Sequence, residues 1–125
     1  AEHIDRAIDT LTIFQVDSVI SIQEELSLCY HHGRQGLLPI NGSRDRSLRL
    51  ERKSIFKENG AIYLTKVGIV QSGMLLGDRL GHITMLSEES VSIKSQFDFL
   101  VAENILTQWN VRKSVLSVQP EETKL

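Results

Sequence analysis

The chain has 125 residues, enough for one domain with one core, which at this size buries roughly two thirds of the unfolded surface. Its 41% hydrophobic and 24% charged content, with a formal net charge of −2, is that of a globular protein and excludes bulk attraction to a polyanion, so no nucleic-acid partner is expected. No apolar run approaches the roughly 20 residues that span a bilayer, and the amino terminus reads as an acidic amphipathic stretch rather than a signal peptide; no membrane partner is expected and the cytoplasm is the default compartment.

Taken in order, Ile4, Ala7, Ile8 and Leu11 recur at helical spacing, with Glu2, Asp5, Arg6 and Asp9 off that stripe, which predicts an amphipathic helix over 2–13. Ala1 is a poor cap, so this helix begins abruptly, as if its capping residue had been removed. Ser18-Val19-Ile20-Ser21-Ile22 predicts a short strand. Leu26, Leu28 and Tyr30 alternate with Ser27 and Cys29, a turn follows at Gly33-Arg34-Gln35-Gly36, and Leu37-Leu38-Pro39-Ile40 extends again, which reads as a hairpin or long arm. Pro39 has no amide hydrogen, so its segment belongs at a sheet edge.

The stretch 43–54 holds Arg44, Arg46, Arg49, Arg52 and Lys53 against Asp45 and Glu51, the only dense basic run. Asn59-Gly60 is a turn signal, because both residues tolerate positive φ, and it leads into the strand-like Ala61-Ile62-Tyr63-Leu64. Val67, Ile69 and Val70 open a short helix or turn that Gly73 ends. His82-Ile83-Thr84-Met85-Leu86 predicts a third strand, Val91-Ser92-Ile93 a short fourth, and 96–109 a closing helix before a polar tail over 110–125.

Few residues form a constellation that could carry chemistry. His31 and His32 are adjacent and point to opposite faces of a strand, so only Cys29 and His31 could converge, and a zinc site lacks its further ligands. Cys29 is also the sole thiol, which excludes an internal disulfide. Gly33 to Gly36 lies between two extended segments rather than between a strand and a helix, and therefore reads as a turn and not as a phosphate loop.

The succession Glu2-His3-Ile4-Asp5-Arg6-Ala7-Ile8, Asp17-Ser18-Val19-Ile20-Ser21, Asn59-Gly60-Ala61-Ile62-Tyr63-Leu64, Ser90-Val91-Ser92-Ile93 and Phe97-Asp98-Phe99 running into Ala102-Glu103-Asn104-Ile105-Leu106 resembles the carboxy-terminal half of the acylneuraminate cytidylyltransferase family, over most of residues 1–107. The resemblance implies an α/β fold, part of a Rossmann-like nucleotide-sugar transferase architecture: a short mixed sheet with flanking helices and an extended dimerisation arm, here about 26–56. It implies one domain over 1–109. Enzymes of that family transfer CMP from CTP to an acidic sugar with magnesium.

Several of the family's parts have no equivalent here. Its amino-terminal Gly-rich nucleotide loop has no counterpart before Ala1, so a missing amino-terminal half is a candidate partner. Its paired metal carboxylates align with Ser92 and Lys94, a neutral oxygen and a cation that repels a divalent ion. No catalytic, cofactor or metal residue is therefore assigned, and magnesium is expected only for the intact family enzymes. Asp98 aligns with a family position but reads as a helix-start carboxylate. Arg49 and Lys57 align with basic residues that contact or support the acidic sugar, and with Asn59 and Gly60 they form a candidate site for a small acidic ligand.

The reading that follows is a non-catalytic cytidylyltransferase-like protein, a remnant or separated half. It is expected to be a homo-oligomer through the segment from Leu26 to Ile40 and through its helix faces, because half a sheet leaves an edge and a face to be covered. Two rivals remain: a fragment of an active CMP-sugar synthetase, and a small interaction module that has reused the same surface.

Overall fold

A computed structural model of the chain describes residues 1–42 and 53–116. They fall into two compact units, Ala1–Leu86 and Ser87–Leu125.

The first unit is a small mixed sheet covered by a helix. Helix α1 runs over Glu2–Ile13, as its stripe predicts, and Ala1 contributes no side-chain cap. Strand β1, Ser18–Glu25, is central: β4, Ile55–Thr65, pairs antiparallel on one side of it and β5, Leu80–Thr84, parallel on the other. β1 therefore runs three residues past its expected end, while β5 starts and stops two residues before the predicted strand. The reason is register: Ser18 pairs with Leu80 and Ile22 with Thr84, so the parallel ladder is spent before Met85.

Ala7, Val19 and Ile83 form the buried centre, with Leu11, Val16, Ile62 and Leu64 packed around them. Only Ala7 of the helix stripe is fully buried; Ile4 and Ile8 are about half exposed. Alternation puts Val19, Ser21, Ile62, Leu64 and Ile83 on the helix side and Ile20, Ile22, Phe56, Tyr63 and His82 on the other. There Phe56 and His82 stack at 5.6 Å between ring centroids, reaching across β1 from its two neighbours.

The hairpin is shorter than the alternation from Leu26 suggests. β2, Tyr30–Gly33, and β3, Gly36–Pro39, form a separate two-stranded sheet, in which Pro39 costs no ladder partner. Residues 26–29 are not strand, because Asn41, 1% exposed, occupies their backbone: its Oδ1 accepts the Cys29 N–H at 2.8 Å and its Nδ2 donates to the Ser27 carbonyl at 2.8 Å. Much of the predicted arm, 43–52, lies outside the described residues.

Asn59-Gly60 does not reverse the chain. It lies inside β4, where residues 58 and 63 pair with Ile22 and Ile20, so that 59–62 face Ser21 alone. This is a wide β-bulge, and Gly60 takes φ +70° within it, a conformation that strains any residue with a Cβ. Helix α2, Val67–Gln71, follows and ends before Gly73, as expected.

In the second unit a 3-10 turn, Ser87–Glu89, precedes helix α3, Gln96–Leu116. Val91 to Ile93 is not a strand. α3 continues seven residues past its predicted end at 109, so the first part of the expected tail is helical; residues 117–125 lie outside the described residues. No described helix is long and apolar enough to cross a membrane.

Candidate functional site

Where two strands run parallel, their carboxyl ends leave a crevice in which open α/β sheets hold ligands. Here that end belongs to β1 and β5, and the bulged first half of β4 flanks it. Lys57 pairs with Gln23 near the end of β1, and the Asn59 amide donates to Met85 Sδ at 3.4 Å, while the Met85 N–H donates to the Ile22 carbonyl at 2.8 Å. Three of the four candidate ligand residues, Lys57, Asn59 and Gly60, are thereby gathered at one place. Arg49 lies outside the described residues.

The bulge is held from beneath by Ser21, which is fully buried. Its hydroxyl donates to Asn59 Oδ1 at 2.5 Å and accepts the Ile62 N–H at 2.8 Å, and Asn59 Oδ1 also accepts the Ala61 N–H at 3.1 Å. A bulge strips backbone N–H groups of their cross-strand carbonyls, and these two side chains replace them. Asn59 therefore shapes the loop, a role the turn reading missed. The available signal was Ser21 itself, a polar residue on the core-facing side of a β-branched run.

Lys57 is not a bare cation. Its ammonium lies 3.6 Å from Glu25 Oε2. The Glu25 carboxyl is held below its ordinary range, first by the Ser27 backbone N–H, which donates to Oε1 at 2.9 Å, and further by the Lys57 charge. Glu24 accepts from the Ser54 hydroxyl at 3.0 Å, and Glu58 accepts from the Tyr63 hydroxyl. An acidic ligand at Lys57 must therefore displace Glu25, trading one carboxylate for another in a solvent-exposed setting.

Ser92 and Lys94 belong to the second unit and are exposed. The Lys94 backbone N–H donates to Asp98 Oδ2 at 3.0 Å, and the Asp98 N–H donates to the Ser95 hydroxyl at 3.2 Å. Ser95 thus caps α3, and Asp98 serves the chain just ahead of it, in a variant of the capping box. That bond from Lys94 is the first cause of an Asp98 acidity stronger than usual, with the Ser95 hydroxyl next. Among the described residues, no three His, Cys, Asp or Glu side chains are grouped to hold a metal ion. Cys29 Sγ is 3.5 Å from the Ser27 carbonyl, a contact within its own loop.

The chain matches no protein-family model and none of the curated proteins compared with it.

Proposed function

We propose that this chain is a cytidylyltransferase-like binding protein that performs no nucleotidyl transfer by itself and takes a small acidic ligand at the carboxyl end of β1 and β5. The observation that carries the reading is the clustering of Lys57, Asn59 and Gly60 around a bulge that opens onto that end. Two residues that resemble family site positions thus stand where sheets of this kind bind ligands. The absence of transfer chemistry rests on Ser92 and Lys94, which supply no carboxylate at the aligned positions, and on Asp98, whose carboxylate serves the start of α3.

Lys57 supplies one positive charge without the planar fork of an arginine, and Glu25 competes for it, so binding is weak, on the order of millimolar. The test is calorimetric titration with N-acetylneuraminate and with CMP, using the wild-type chain and Lys57→Gln. Saturable heat that the substitution abolishes supports the reading; no heat at millimolar ligand ends it. Incubation with CTP, magnesium and the acidic sugar is expected to yield no CMP conjugate, and turnover would restore the enzyme fragment as the better account.

Self-association through the hairpin belongs to the same proposal. What supports it is apolar exposure on the hairpin and its base: Leu26, Tyr30, Leu37 and Ile40 are all between two fifths and two thirds exposed. Light scattering of Leu37→Asp beside the wild type is the check, and a wild-type monomer at high concentration would remove this part.

A further inference from the structure

β4 is an edge strand, and among the described residues no strand pairs with its outer side. The Lys66 N–H donates inward to the Asp17 carbonyl and the Ile62 N–H inward to Ser21, so the even positions beyond the bulge face β1. By strand alternation the peptide groups of Tyr63 and Thr65 face outward. The Ala61 N–H is already satisfied by Asn59.

Edge strands are ordinarily protected by a charge, a proline or a cover. The run Ala61-Ile62-Tyr63-Leu64-Thr65 has neither charge nor proline. Its outer flank is moreover a shallow groove of about 280 Å³, lined by Ile4 and Ala7 of α1 and by Ala61, Ile62, Tyr63 and Leu64. Ile4 is 54% exposed and Tyr63 44%. An occupant must offer unpaired peptide groups in extended form together with apolar side chains.

We infer that the occupant is a second copy of this chain, joined β4 to β4 in antiparallel fashion about a two-fold axis at Tyr63. This register is self-complementary. Tyr63 exchanges backbone hydrogen bonds with its counterpart, and Thr65 lies opposite Ala61, so outward-facing groups meet outward-facing groups on both sides. No charge faces a like charge, because Lys66 falls opposite Gly60. With the axis perpendicular to the sheet, both α1 helices stay on one face and bring their exposed Ile4 side chains toward each other, while the two Tyr63 side chains meet on the opposite face. Three strands in each copy become one six-stranded sheet. The inference deepens the proposed self-association by adding an interface separate from the hairpin.

The test uses charge at the axis. Tyr63→Lys and Tyr63→Glu each oppose like charges directly across the junction, and each alone is expected to weaken dimerisation at least tenfold in sedimentation velocity, with the circular dichroism spectrum retained. An equimolar mixture is expected to recover the dimer as a heterodimer. Ile4→Asp, on the helix and outside the strand, is expected to weaken it as well, which covers the case in which a Tyr63 variant fails to fold. If both Tyr63 variants and Ile4→Asp dimerise like the wild type, or if folded Tyr63 variants fail to recover on mixing, the interface is wrong. A dimer lost only in Leu37→Asp would overturn this inference and leave the hairpin interface standing, whereas a monomeric wild type would overturn both.

Discussion

Replacing Ser21 by alanine tests whether the β4 bulge is a built feature. The hydroxyl is fully buried, accepts the Ile62 N–H at 2.8 Å and donates to Asn59 Oδ1 at 2.5 Å. In Ser21→Ala the Ile62 N–H loses the acceptor given by this hydroxyl, and a buried donor left without a partner costs about 1–3 kcal/mol. Asn59 Oδ1 keeps the Ala61 N–H, so its share of the loss is small, at most about 1 kcal/mol. The sum is about 2–3 kcal/mol, which for a unit of this size lowers the melting temperature by roughly 10–20 °C. Urea denaturation followed by circular dichroism reads the difference directly, because the slope should be unchanged while the midpoint falls. A loss below about 0.5 kcal/mol, the range of an ordinary surface substitution, would show that the bulge stands without its clamp and that Ser21 is an incidental polar residue.

The other perturbations act on single features of the same framework. Gly60→Ala forces φ +70° on a residue with a Cβ; no atom lies within 4 Å of that Cβ, so the loss is pure backbone strain of about 1 kcal/mol and should be smaller for Gly60→Asn, as paired urea titrations would reveal. Asn41→Ala removes both 2.8 Å bonds at the base of the hairpin and should cost about 2 kcal/mol, seen as faster hydrogen exchange at the Cys29 amide; unchanged exchange would contradict the clamp. Asp98 and Glu25 both have acidities raised by backbone N–H donors, so each contributes stability that is full above its unfolded pKa and is lost as pH falls through its lower folded pKa. The window therefore lies below about pH 4, and helicity followed from pH 7 to 2 should fall there for the wild type but vary less for Asp98→Asn.

How far these features could be read beforehand depends on the range of the interaction behind each. α1 was legible because its apolar spacing is local, and α2 because Gly73 stops it within one turn. β1 and β5 were found but misbounded, since their ends are decided by the parallel register between Ser18 and Leu80, residues sixty-two positions apart. Asn59-Gly60 was misread for a related reason. Its local chemistry permits positive φ and says nothing about whether the strand turns back or continues, and what decides this is Ser21, thirty-eight positions earlier, whose hydroxyl serves as an acceptor in place of a backbone carbonyl. The candidate site divides in the same way. Lys57, Asn59 and Gly60 lie together because they are neighbours on one strand, whereas Glu25, which sets the electrostatic character of Lys57, is brought in by the pairing of β1 with β4. Ligand selectivity at this site thus depends on the bulge: moving β4 one residue past β1 would turn Lys57 to the other face and leave Glu25 without its cation. The Ser21 clamp holds that register, so its removal should weaken acidic-ligand binding as well as the fold.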